Sequence, residues 1–324
     1  MAPARTQGGT VLVTSRSFGS GHVDTLARLR ERGLDAVRAG PGHDAAALAD
    51  GLGRAVAWIA GTAPIGAEQL ELAPGLRVIA RYGVGYDAVD LGAAAARGIA
   101  VTHTPGANSE AVADHTLALL LAALRHVVAG DGSARAGDWR ARPGRELAAL
   151  TAGIVGFGKV GRAVARRLTG GFGTRVVVHD PYVADDAVRQ EGCEPMSLDA
   201  LAAEADVLCL HAPGAAQPLV DAALLRRLRP EAILVNAARG DLVDERAVAE
   251  ALRSGRLGAA AVDVLATEPA SGSPLLDAPN VVVTPHLAAQ TVEAIDRMGT
   301  MAVDDVLRVL DGLPAIHPVP PVQR

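Results

Sequence analysis

Three short segments in the second half of the sequence hold residue types that do acid–base chemistry on small acids. Arg239 stands in Asn236-Ala237-Ala238-Arg239-Gly240, after an apolar run. Asp263 and Glu268 stand in Asp263-Val264-Leu265-Ala266-Thr267-Glu268-Pro269, and His286 closes Thr284-Pro285-His286. A guanidinium grips a carboxylate through a two-pronged hydrogen bond. An imidazole titrates near neutral pH and so serves as general acid or base. A carboxylate beside that imidazole orients it and raises its pKa. An arginine, a histidine and a carboxylate are what the reduction of a 2-keto acid by hydride asks of a protein.

A fourth segment supplies a place for the hydride carrier. Gly156-Phe157-Gly158-Lys159-Val160-Gly161 fits G-x-G-x-x-G, with an apolar strand before it and a helical pattern over 162–168 after it. Gly156 permits the tight turn, Gly158 a close approach of pyrophosphate, and Gly161 close helix–strand packing. Asp180 lies 19 residues after Gly161, at the end of the next strand. A carboxylate there accepts from ribose hydroxyls and repels a 2′-phosphate, so the expected cofactor is NAD rather than NADP.

These segments need strand ends to present them. Short β-branched runs alternate with helical stretches, the pattern of an α/β fold with parallel sheets. In the first half, strands are expected over 10–14, 55–60, 77–81 and 99–102, with a helix over 23–32. In the second, strands are expected over 151–155, 175–179, 207–211, 233–236, 258–264 and 281–284. Residues 109–128 read as one helix, apolar on nearly every face over 117–124 and therefore buried there, with Ser109 as its cap. A last helix is expected over 291–310, then an extended tail over 314–324 with 4 prolines. The simplest organisation is two doubly wound parallel-sheet domains. Helices near Ser109 and Thr291 bracket the second, and the active site lies in the cleft between the two.

Composition excludes other classes. The 324 residues are 49% hydrophobic and 21% charged, which rules out wholesale disorder. The longest apolar-leaning run, 116–124, is too short to span a bilayer, and residues 1–10 have no secretory apolar stretch. A net charge of −5 without a basic block argues against nucleic acid. Two cysteines, Cys193 and Cys209, make neither a disulfide framework nor a four-ligand metal site, and read as small buried side chains. No metal and no membrane partner is expected, and the expected location is the cytoplasm.

Together with Arg81-Tyr82-Gly83-Val84-Gly85-Tyr86-Asp87 and Pro105-Gly106-Ala107-Asn108-Ser109-Glu110, these segments form an ordered set along most of the chain. In that set the sequence resembles the D-isomer-specific 2-hydroxyacid dehydrogenases, most closely the phosphoglycerate dehydrogenase-like branch. The resemblance implies a flavodoxin-like substrate domain over 1–104 plus 288–324 and a Rossmann NAD domain over 105–287. It implies a catalytic triad of Arg239, Glu268 and His286, spaced by 29 and 18 residues. Arg239 binds substrate carboxylate and carbonyl, His286 is the acid/base, and Glu268 is its partner. Val84 and Gly85 offer backbone N–H groups to the carboxylate, and Asn108 sits at the cleft. Asp263 accepts from the nicotinamide carboxamide, while Ala237, His211 and Pro213 line the cofactor site. Asp114 and His115 are packing or capping residues near the cofactor, and homodimers are the family habit.

Three departures bear on this. After His211-Ala212-Pro213 the run Gly214-Ala215-Ala216-Gln217-Pro218 lacks a hydroxyl that normally touches the cofactor. Ala60-Gly61-Thr62 stands where phosphoglycerate-specific members often carry Arg-Ser, leaving Arg16, Arg54 or Arg81 as substitute cations. The sequence ends at Arg324, where longer phosphoglycerate dehydrogenases continue into a regulatory domain. The expected activity is thus interconversion of a D-2-hydroxy acid and a 2-keto acid. The alternatives are a dehydrogenase for a specialised phosphonate or secondary-metabolite acid, or a non-catalytic NAD-sensing corepressor.

Overall fold

The computed structural model describes residues 8–320. Most of the polar stretch read at 1–10 and the last four residues of the proline-rich tail lie outside them. In chain order the elements are β1 (Gly9–Val13), α1 (Thr25–Arg30), β2 (Leu34–Arg38), α2 (Ala45–Arg54), β3 (Ala55–Ala60), α3 (Ala67–Glu71), β4 (Val78–Arg81), α4 (Leu91–Ala96) and β5 (Ala100–Thr102). Then come α5 (Ser109–Leu124), α6 (Val127–Arg135), β6 (Thr151–Val155), α7 (Lys159–Phe172), β7 (Arg175–His179), α8 (Asp185–Gln190), β8 (Glu194–Pro195), α9 (Leu198–Glu204) and β9 (Val207–Leu210). The chain continues through α10 (Ala222–Arg227), β10 (Ala232–Asn236), α11 (Glu245–Arg253), β11 (Leu257–Val262), β12 (Val281–Val283) and α12 (Val292–Leu310).

Two compact units result. One holds the described residues up to Asn108 and from Gln290 on; the other is Ser109–Ala289. These borders fall a few residues beyond the 104/105 and 287/288 positions read from the sequence. The first unit has a parallel five-stranded sheet ordered β2-β1-β3-β4-β5, the flavodoxin-like order. The second has a parallel seven-stranded sheet ordered β12-β11-β10-β9-β6-β7-β8. Its order reverses between β6 and β9, the switch point where such sheets bind ligands.

Sequence chemistry sets the element ends. Asp24, Asp44, Asp90, Ser197, Asp221, Asp244 and Thr291 each accept a backbone N–H in the first turn of the helix they precede. Strands β9 and β10 are buried along their whole length, as unbroken apolar runs covered on both faces require. One face of the larger sheet packs Leu117, Leu120, Ala163 and Leu168, the other Leu201, Leu224 and Val248. In the smaller sheet, the fully buried Trp58 anchors a core with Leu12, Leu52, Ile65 and Ile79.

The helix expected over 109–128 is two helices. It breaks after Leu124, and α6 leaves at 59° to α5. His126 adopts a left-handed conformation (φ 54°) that a right-handed helix cannot propagate, and its Nε2 pairs with the Pro143 carbonyl at 3.1 Å. Ser109 is the first helical residue rather than the cap. No single helix among the described residues is long and apolar enough to cross a membrane; α5 and α6 pass such a test only as a bent pair, and α5 is mostly buried. The tail is more than extended: Pro318 bridges Thr102, and the buried Asp305 of α12 accepts the Ile316 N–H at 2.6 Å.

Candidate active site

The residues singled out in the second unit converge at the carboxyl ends of β10, β11 and β12. Arg239 follows β10 in a loop pinned by Asn236, itself 1% exposed. Asn236 Nδ2 donates to the Arg239 carbonyl at 2.8 Å, and its Oδ1 accepts the Ala238 N–H at 3.1 Å. Gly240 lets this loop lie against the next one, because a side chain there would run into the backbone of Leu265 and Ala266. That second loop carries Glu268. Glu245 holds it by accepting the Ala266 N–H at 2.7 Å and the Ser273 hydroxyl at 2.6 Å.

His286 follows β12. Its Nδ1 lies 2.7 Å from Glu268 Oε2, and the two side chains are 38% and 36% exposed. Glu268 Oε1 also accepts the Leu265 N–H at 3.2 Å. The bond to Glu268 raises the imidazole pKa. Burial opposes that, the Glu268 and Asp263 charges add to it, and Arg239 pulls the other way. All three triad candidates therefore share one electrostatic neighbourhood. With Nδ1 committed to Glu268, Nε2 is the ring atom left for a substrate.

Asp263 lies beneath this surface, 2% exposed. Its Oδ1 accepts the Thr284 hydroxyl at 2.6 Å and the Leu287 N–H at 2.9 Å; Oδ2 accepts the Ala288 N–H at 2.8 Å. Burial works to raise its pKa, but the bonds from His115, Thr284, Leu287 and Ala288 prevail and hold the carboxyl below the usual range. The Asp263 carbonyl takes the His286 N–H at 2.9 Å. Sequence reasoning gave Asp263 to a cofactor contact and missed this anchoring of the His286 segment. It also missed Asn236, Glu245 and Thr284, whose only sequence signal is a polar residue at a strand or helix end.

The glycine loop closes the other half of this site. Gly156 has φ +92° and lies so near the backbone of His211 and Ala212 that a Cβ would stand 2.6 Å from it. A side chain on Gly161 would strike the Gly156 carbonyl. At Gly158, by contrast, a Cβ would meet open space, and α7 starts there without a side-chain cap. An uncapped helix start facing open space suits a pyrophosphate, so the loop fits a dinucleotide. Asp180 follows β7, with its carboxylate on the Phe157 and Tyr182 N–H groups, at 2.7 and 2.9 Å. Val160 and Ala237 pack in one small cluster with Val112 and Ala288. Pro213 is exposed. Both His211 ring nitrogens are buried without a partner among the described residues, and burial pushes its pKa down to about 4.

In the first unit, the loop after β4 has its carbonyls engaged. Thr104 N–H donates to Gly83 at 2.9 Å, His103 Nδ1 lies 2.8 Å from the Val84 oxygen, and Arg81 Nε donates to Gly85 at 3.2 Å. Asn108 Oδ1 is buried with no partner among the described residues. The loop after β3 is closed down on β1, where a Cβ on Gly61 would stand 2.9 Å from the Thr14 carbonyl.

Residues 117–288 match the family model for the D-isomer specific 2-hydroxyacid dehydrogenases, in its NAD-binding domain. The chain belongs to that family. It is 47% identical over 252 residues to the D-3-phosphoglycerate dehydrogenase of Mycobacterium leprae (strain TN), covering 76% of this chain and 48% of that one. The chain thus spans about half the length of that curated relative. A crystal structure of a Thermus thermophilus protein superposes with a TM-score of 0.86 at 43% identity, over 96% of this chain and 100% of that one. The NADPH-dependent glyoxylate/hydroxypyruvate reductase of Sinorhizobium meliloti, solved with citrate, superposes at 0.83 with 32% identity, over 96% and 97%. The family domain makes the cofactor a nicotinamide dinucleotide.

Proposed function

We propose that the protein is an NAD-dependent oxidoreductase of phosphoglycerate dehydrogenase type that interconverts a D-2-hydroxy acid and a 2-keto acid. The observation that supports it best is the 2.7 Å His286–Glu268 couple with Arg239 in its field. Arg239 holds the substrate carboxylate and polarises the carbonyl. The nicotinamide, when bound, supplies or accepts the hydride. In reduction His286 gives its Nε2 proton to the carbonyl oxygen; in oxidation the neutral ring takes the hydroxyl proton. Glu268 keeps Nδ1 protonated and stabilises the imidazolium. Val84, Gly85 and Asn108 keep the substrate-binding role that the resemblance gives them.

On this reading Gly156, Gly158, Lys159, Val160 and Gly161 hold the diphosphate, with His211, Pro213, Ala237 and Asp263 around the rest of the cofactor. Asp180 favours NAD, since its carboxylate stands where a 2′-phosphate would bring like charge. A homodimer fits α6, which has no buried residue, and the neighbouring Trp139, 86% exposed. The cytoplasm is the compartment we assign, consistent with two free, buried cysteines.

A specialised acid is the second reading, and one observation favours it. The loop Ala60-Gly61-Thr62 offers no cation for a phosphate. Of the substitute cations, Arg54 pairs with Asp50 before β3 begins and Arg81 is 5% exposed with Nε on the Gly85 carbonyl, which leaves the exposed Arg16 after β1. Initial rates with NADH and a panel of 2-keto acids, with and without a 3-phosphate, test both readings. Turnover of the phosphorylated acid alone supports the first, and turnover only of others the second. No turnover of any overturns the enzyme reading in favour of a cofactor-sensing protein.

A further inference from the structure

His115 lies on the apolar helix α5, where a histidine reads as packing. Its Nε2 is 3.1 Å from Thr284 Oγ1 and 3.5 Å from Asp263 Oδ1. The direction of this chain follows from donor capacity. An ionised carboxylate only accepts, so at 2.6 Å the Thr284 hydroxyl must give its proton to Asp263. Thr284 Oγ1 is then left as an acceptor toward His115, and Nε2 must carry the proton. Helix α5, the end of β12 and the end of β11 are thereby joined by one directed chain.

Its far end grips the backbone of His286 and of the two residues that follow it. Asp263 accepts the Leu287 and Ala288 N–H groups, and its carbonyl accepts that of His286. His286 needs that grip, because it sits at φ 52°, a left-handed conformation unfavourable for any residue with a Cβ. We infer that His115 is a positioning residue for His286, acting through Thr284 and Asp263 to hold the imidazole in line with Glu268. The inference rests on the acid/base role proposed for His286. The charged groups around that ring are Glu268, Asp263 and Arg239. On α5, the neighbouring Asp114 is engaged by Arg167 at 2.7 Å.

Two variants separate positioning from packing. His115→Phe fills the space and removes the donor; His115→Gln keeps an N–H near Nε2. With the full-length protein, single-turnover reduction and a ring 15N NMR titration of His286 are measured on each. His115→Phe is expected to slow reduction roughly 10- to 100-fold with little change in KM, and to lower the His286 midpoint. His115→Gln should recover most of both. Thr284→Val, which leaves the helix untouched, should act like His115→Phe, and the double variant should be no worse than Thr284→Val alone. An unchanged His286 midpoint and rate in His115→Phe overturns the inference, as does equal damage from Phe and Gln. The titration needs no turnover. A wild type that reduces no 2-keto acid yet shows the predicted midpoint shifts overturns the functional reading and leaves the relay standing.

Discussion

The two sheets end in opposite ways. Beyond the larger sheet, a buried carboxylate, Asp263, ties down the segment that bears His286, and the charged triad candidates stand above it, partly open to solvent. Beyond the smaller sheet, the buried cluster around Thr14 and His43 is uncharged, and the charge near it is the buried guanidinium of Arg81. Thr14 accepts from Trp58 Nε1 at 2.9 Å and lies 2.7 Å from His43 Nε2, whose Nδ1 is 3.2 Å from the Pro64 carbonyl. Burial pushes the His43 pKa down to about 4. One end is built to hold charge in place for a reaction. The other is built to hold loop backbone at a fixed height.

The sharpest break of that contrast is to remove the charge. His286→Ala should slow reduction by about 100- to 10,000-fold, and Arg239→Ala should abolish saturation by the keto acid. NADH affinity by fluorescence titration should survive both, since the glycine loop is separate. Near-full activity in His286→Ala would erase the distinction between the two ends.

Acid should weaken both units, for the same reason at different places. His43 and His211 titrate near 6.5 when unfolded and about 4 when folded. Between those values the unfolded chain binds the proton and the native chain does not, so stability rises with pH. Each histidine's share is whole above about pH 6.5, and up to about 3 kcal/mol is lost as pH falls toward 4. Hydrogen exchange resolved by sheet reads this. His211→Leu should flatten the pH dependence in the larger sheet only. If exchange from both sheets were flat from pH 7 to 4.5, burial would not be shifting either ring.

Asp180 sharpens the contrast within the larger unit, because the role proposed for it is to recognise without reacting. Asp180→Ala should shift the NADH-to-NADPH efficiency ratio by roughly 100-fold toward NADPH. The NADPH-dependent relative makes this a live question. A wild type that uses both cofactors equally would withdraw the NAD assignment.

What the sequence told in advance divides along the same line. Arg239, Glu268, His286 and the glycine loop were legible because each is a distinctive residue type just past a strand, in a fixed order. The His115–Thr284 bond was not, since its partners lie 169 residues apart and a histidine on an apolar helix looks the same packed or bonded. Strand β2 escaped notice because Leu34–Arg38 mixes charge with apolar residues, and β8 because it is two residues long. Nothing in the residue types at 125–126 announced the break between α5 and α6. That break depends on one left-handed histidine.

The smallest effect expected is a displacement in pH. The hydrogen bond to Glu268 holds the His286 pKa above its ordinary value. Reduction uses the imidazolium, so its rate should be full below the raised pKa and fall as pH climbs through it. Oxidation uses the neutral ring and should rise over the same window. Glu268→Gln keeps the shape and removes the charge, leaving Asp263 as the one carboxylate that still favours the imidazolium, against Arg239. Both inflections should then move to lower pH, by about one unit if a charge–charge contribution near 1.4 kcal/mol is lost. Single-turnover hydride transfer is the proper observable, because product release masks such shifts in kcat. An inflection that stays in place while chemistry limits the rate would mean that Glu268 orients His286 without tuning it, and the charge would have to come from Asp263 below.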